Sequence, residues 1–253
     1  MKAVLKMYIS VKKKCRAVAL ILAIVLVCSA VLVARNEYSN TDFGTTFGRK
    51  AVMAKARLAG MLPLFETCAA TCKTDSRFMQ AIVFPEVMRY SSLKDGIEAE
   101  SLRTLYVQLG KSYANFSIGP FQMKPSFAEE VEDKVRTMLP DSLGHEFQLW
   151  YKSAEEETIR AERIERLQDE QWQLVYLTAF ICICNELYKN KKFADGLEKV
   201  QWYATLYNAG FDKTPEFIAS KIKTENFYLQ QKMPEKKFRY AAIAGWFYQT
   251  DNN

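Results

Sequence analysis

Apolar residues are distributed along this chain in the manner of helices, and strand-like alternation of β-branched residues is scarce throughout. An uncharged run of 18 residues from Ala17 to Ala34 comes first, preceded by Lys12, Lys13, Lys14 and Arg16 and closed by Arg35. Residues 36–48 are polar and contain Gly44 and Gly48, after which 49–70 and 76–90 carry apolar positions at helical spacing. A polar segment, Ser91 to Glu100, interrupts this pattern. Gly110, Gly119, Pro120 and Pro125 mark Lys111 to Pro125 as loop and turn, with a new helix opening near Ser126. Residues 154–171 are densely charged with only Ile159, Ile164 and Leu167 as an apolar stripe, which predicts a solvated helix. The stretch from Trp172 to Tyr188 is almost wholly apolar and predicts a central buried helix, with another from Asp195 to Tyr207. From Thr214 to Asn253 basic and aromatic residues alternate, and the aromatics are expected to supply core area. The fold class expected is all-α.

The leader changes the picture from fold to topology. Eighteen residues at ~1.5 Å rise are at the short end of what crosses a bilayer core of ~30 Å. Positive charge before the run keeps that end cytoplasmic and sends the remainder across the membrane. Residues 1–35 are therefore expected to be a signal or a membrane anchor, held in the inner membrane through 17–34 or cleaved after export. Residues 36–48 would be a polar tether, and 49–253 the helical domain at the periplasmic face, with a charged helical insertion around 130–171.

Charge then excludes a partner. The formal net charge is +6, but seven of the 35 basic residues lie in residues 1–35, which hold no acid. That leaves 28 bases against 29 acids in the exported part, so the basic excess needed to track a phosphate backbone is absent and no nucleic acid is expected. Six cysteines are present: Cys15 and Cys28 in the leader, then Cys68, Cys72, Cys182 and Cys184. Cys68 and Cys72 share a helix face, Cys182 and Cys184 sit in an apolar stretch as small core residues, and pairing is possible without being required. His145 is the sole histidine and no CxxC pair occurs, so neither a metal site nor a Ser-His-Asp or Cys-His arrangement is expected. No cofactor is expected. Carboxylate chemistry remains.

Three short signals occur in order. An apolar run, Phe78 to Pro85, ends in Glu86; Gly119-Pro120-Phe121-Gln122-Met123-Lys124-Pro125-Ser126-Phe127-Ala128 follows; then comes Tyr207-Asn208-Ala209-Gly210. Together they resemble the lytic transglycosylase and goose-type lysozyme group of the lysozyme-like superfamily. That group's pattern is a helix-terminal Glu, a G-L-M-Q-x-x-P-x-T-A-like turn and Y-N-A-G after a buried helix, and here it covers about residues 78–211.

The resemblance implies a lysozyme-like helical domain that cleaves the peptidoglycan glycan strand with a single Glu as acid and then base. It assigns Glu86 to catalysis and Gly119, Phe121, Gln122, Tyr207 and Asn208 to the sugar. Glu100, followed by Ser101 as the family's carboxylate usually is, remains a rival to Glu86. Physical context favours Glu86, because an acid working near neutral pH needs apolar surroundings and Glu100 stands in a polar stretch. Pro85, Val87 and the altered turn also leave open an inactive module that binds peptidoglycan or scaffolds an envelope complex.

Overall fold

A computed structural model describes residues 43–90, 102–229 and 237–250. The leader run 17–34, the first part of the tether and Glu100 lie outside the described residues. The chain divides into two units, Met1–Thr46 and Phe47–Asn253. Of the first, the described residues 43–46 begin a short helix, α1 (Phe43–Phe47).

The second unit is all-α, as the apolar pattern predicts. Its helices are α2 (Arg49–Gly60), α3 (Leu62–Thr71), α4 (Ser76–Arg89), α5 (102–109), α6 (Pro125–Met138), α7 (Asp141–Phe147), α8 (Glu156–Gln168), α9 (Glu170–Leu187), α10 (Gly196–Ala209), α11 (Pro215–Ile222) and α12 (Tyr240–Gln249). Extended pairing among the described residues is confined to two isolated bridges, Ile118 with Met123 and Phe227 with Phe238. No helix among the described residues is long and apolar enough to cross a membrane.

Side-chain caps set several boundaries. Asp75 accepts from Phe78 N at 2.6 Å to start α4, and Asp195 accepts from Glu198 N at 2.9 Å to start α10. Asp169 ends α8 and begins α9, accepting from the backbone of Gln171 and Trp172. Two helices pass through the core. α9 is buried without a break from Tyr176 to Cys184, and α4 from Phe78 to Met88, so neither presents the polar face that a surface helix keeps. Around α4 pack α2, α3, α10 and α12; around α9 pack α3, α6 and α8.

The charged stretch departs from expectation. α8 buries Ile164 and Leu167 of the apolar stripe read from the sequence, but it also buries Arg163 and Arg166. Arg163 lies against Glu132 of α6, with Nη2 2.7 Å from Oε2, so a charge hidden in the densely charged stretch is neutralised by one from another helix. Part of the aromatic tail supplies core, with Phe227, Tyr240 and Phe247 buried, while Phe217 is exposed.

Candidate active site

The site begins with an interruption inside α4. Pro85 has no amide hydrogen, so the Ala81 carbonyl lacks its intrahelical donor one turn from the helix end. The helix nevertheless continues through Glu86, which is 4 % exposed. A carboxylate so placed must find donors or hold its proton. Arg89, one turn on, brings Nη2 to 2.6 Å from Oε2. The approach lacks hydrogen-bond alignment, and Oε2 and Arg89 Nε are both buried without a hydrogen bond. Burial pushes the Glu86 carboxyl up to about 7, against the opposing pull of Arg89 and, more weakly, Lys124. It thus stands near half-protonation at neutral pH, where a group can both give and take a proton.

Two tyrosines flank it. Tyr207 on α10 and Tyr240 on α12 are held well above the ordinary phenol range, first by burial and then by the negative charge of Glu86. Both therefore stay protonated, and both hydroxyls are committed. Tyr240 donates to Ile82 O at 2.9 Å, fixing α12 against α4 just before Pro85. Tyr207 donates to Phe121 O at 2.7 Å, which ties α10 to the turn between α5 and α6.

That turn is built around a side-chain amide. Gln173, fully buried on α9, donates through Nε2 to Ile118 O at 2.8 Å and Leu167 O at 2.6 Å, and accepts from Phe121 N at 2.9 Å. Gly119 has φ +65, and a Cβ there would stand 2.0 Å from Gln173 Nε2, so the position takes glycine for space as well as for conformation. Ile118 and Met123 exchange backbone hydrogen bonds across the turn at 2.9 and 3.1 Å. Gln122, left-handed at φ 52, closes it by donating to Gly119 O at 2.9 Å. Lys124 follows, exposed, and α6 starts at Pro125.

The residues assigned from the sequence take unequal parts in this arrangement. The charge of Glu86 acts on the Tyr207 phenol, and the Phe121 carbonyl accepts from that phenol. The Phe121 ring is fully buried against Phe65, 6.0 Å between centroids, so its side chain holds the turn from behind. Gly119 and Gln122 shape the turn, and Asn208 is half-buried at the end of α10, where Gly210 turns the chain with φ 94. Arg89, Lys124, Tyr240 and Gln173 were not assigned from the sequence. Arg89 had a legible signal, its i, i+3 spacing from Glu86; Tyr240 had none, since it arrives from the far end of the chain.

No family model, curated protein or solved structure matches this chain.

Other chemistry is thin. Among the described residues no group of three His, Cys, Asp or Glu side chains could hold a metal ion. His145 lines a separate cavity of about 180 Å³ with Trp150, Leu139 and Leu149, and no residue of the Glu86 site lines it.

Proposed function

We propose that this chain is a lysozyme-like enzyme of the lytic transglycosylase type, exported and tethered by residues 1–48, that cleaves the peptidoglycan glycan strand with Glu86 as acid and base. The observation that carries the reading is the Glu86 carboxyl: buried, pushed up to about 7, with Oε2 lacking a hydrogen bond, beside the turn and the Tyr207-to-Gly210 segment that resemble the family's. Protonated Glu86 gives its proton to the glycosidic oxygen after N-acetylmuramic acid as the C–O bond breaks. The resulting carboxylate then takes a proton from the sugar's own 6-hydroxyl as that oxygen closes on C1, and the enzyme ends as it began. Nothing is hydrolysed, and the product is a 1,6-anhydro end. A single carboxylate suffices because substrate groups do the nucleophilic work, a recognised exception to the two-carboxylate scheme.

A second reading is favoured by Arg89. A guanidinium 2.6 Å from Oε2 stabilises the carboxylate, and Val87 offers no hydroxyl to it, as an inactive peptidoglycan-binding module would allow. Incubating the full-length protein with purified peptidoglycan, then measuring co-sedimentation and the mass spectrum of released muropeptides, separates the two. Anhydro-ended fragments are expected. Reducing ends would replace the 6-hydroxyl with water, binding without release would establish the inactive module, and neither binding nor release would overturn both.

A further inference from the structure

Three of the four described thiols gather where α3 meets α9. Cys72, which ends α3, and Cys182, on α9, are 3 % and 6 % exposed, and their sulfurs stand 2.7 Å apart. The Cys72 thiol also lies 3.0 Å from Thr178 O, and Asn185 Nδ2 donates to Cys72 O at 3.0 Å, so the end of α3 is pinned to two turns of α9. Cys68, one turn earlier, is half-buried and within electrostatic reach of Cys72. Cys184 makes the contrast: it is fully buried in α9 and behaves as a small apolar residue. Packing alone accounts for Cys184. It does not account for two sulfurs placed against each other on different helices.

We infer that Cys72 and Cys182 are a modification site, a dithiol that closes to an interhelical disulfide by exchange with a disulfide-bearing oxidant. One sulfur of the pair, deprotonated, attacks the oxidant's S–S bond to form a mixed disulfide and release one thiol. The second, giving up its proton, attacks the protein sulfur of that mixed disulfide and releases the other oxidant thiol. Two protein thiols are oxidised, one oxidant disulfide is reduced to two thiols, and two protons pass to them. The Cys72–Cys182 contact itself and then burial push the Cys72 thiol up, so the exchange is slow while the helices stay packed and proceeds through opening of the α3 end. The linked positions are 110 residues apart, a long loop to remove from the unfolded chain.

The inference is independent of glycan cleavage, and so is its test. The full-length protein is incubated with oxidised glutathione or with reductant, unfolded, blocked with N-ethylmaleimide and digested with trypsin without reduction. One tryptic peptide carries both Cys68 and Cys72, another both Cys182 and Cys184, so fragmentation must locate the blocking group. Expected after oxidation is a linked pair of these peptides with Cys68 and Cys184 blocked, together with a thermal midpoint higher by roughly 5–15 °C than in the reduced protein. A Cys72→Ala variant should lose both. Four blocked cysteines in the oxidised wild type, or a link made through Cys68 or Cys184, would overturn the inference whether or not the variant folds.

Discussion

Glu86 and Glu132 are buried to nearly the same extent, 4 % and 6 % exposed, and each has an arginine within ion-pair distance. What differs is how the charge is met. Arg163 donates from Nε to both oxygens of Glu132, at 3.0 and 3.1 Å, and from Nη2 at 2.7 Å, while Tyr176 donates to Oε1 at 2.7 Å and Tyr151 to the same oxygen. Arg163 Nη1 also donates to Tyr106, which donates to Glu129, so the network continues between α5, α6 and α8. Glu86 has one misaligned arginine, an oxygen without a hydrogen bond, and two neighbouring tyrosines whose hydroxyls are spent on backbone carbonyls. Burial therefore produces opposite results in the two places. Glu132, surrounded by donors, joins helices through its hydrogen bonds; Glu86, with Arg89 alone beside it, is held by burial as an acid that titrates near neutrality.

The sharpest test of the starved side is Glu86→Gln, which keeps size and polarity but cannot transfer a proton. If the proposed function holds, release of muropeptides should fall ~10²–10⁴-fold while peptidoglycan co-sedimentation stays near wild type. Cleavage at the wild-type rate would remove Glu86 from the chemistry and pass attention to Glu100.

On the satisfied side, Arg163→Met removes the partner and leaves Glu132 buried with its tyrosines alone. Breaking a buried pair from one side costs ~3–5 kcal/mol, read as a lower urea midpoint, with cleavage per folded molecule expected unchanged because the hydrogen bonds of Arg163 and Glu132 run to Tyr106, Tyr151, Tyr176 and each other. A loss under ~1 kcal/mol would show that water or the tyrosines satisfy Glu132 without Arg163, and the contrast between the two carboxylates would fail.

The difference between these regions was only partly legible in the sequence. The core helix α9 could be read from its unbroken apolar run, and Asp195 before α10 from helix-capping chemistry, because both signals are local. Glu86 was legible as the end of an apolar stretch. Its environment was not, since Tyr240 and Lys124 come from other segments and the direction Arg89 takes depends on what packs around it. The charged stretch misled for the same reason: composition records how many charges α8 carries, not that Arg163 meets Glu132 across a helix interface. Gln173, inside the apolar run, fixes the turn by hydrogen bonds to Ile118, Leu167 and Phe121. A side-chain amide that works at long range leaves no periodicity behind.

The smallest effect expected is a pH-dependent difference in stability, and its sign follows from the direction of the Glu86 shift. The carboxyl titrates near its ordinary value of 4.5 when unfolded and near 7 when folded, because burial disfavours the charge more than Arg89 and Lys124 restore it. Between those values the folded chain holds a proton that the unfolded chain has lost, so this group's contribution to stability falls as pH rises from about 4.5 and levels off above about 7. Glu86→Gln abolishes that titration. It should unfold at higher urea than wild type at pH 8, by on the order of 2–4 kcal/mol, and the advantage should shrink towards zero at pH 4, where wild-type Glu86 is neutral in both states. Losing the attraction of Arg89 offsets little, since that side chain is 34 % exposed and its pairing is screened by solvent. Urea midpoints at pH 4, 6 and 8 and constant ionic strength read the difference. Were the variant's advantage the same at all three, or reversed at pH 8, Glu86 would be a well-satisfied carboxylate like Glu132. The distinction on which its chemistry depends would then be gone.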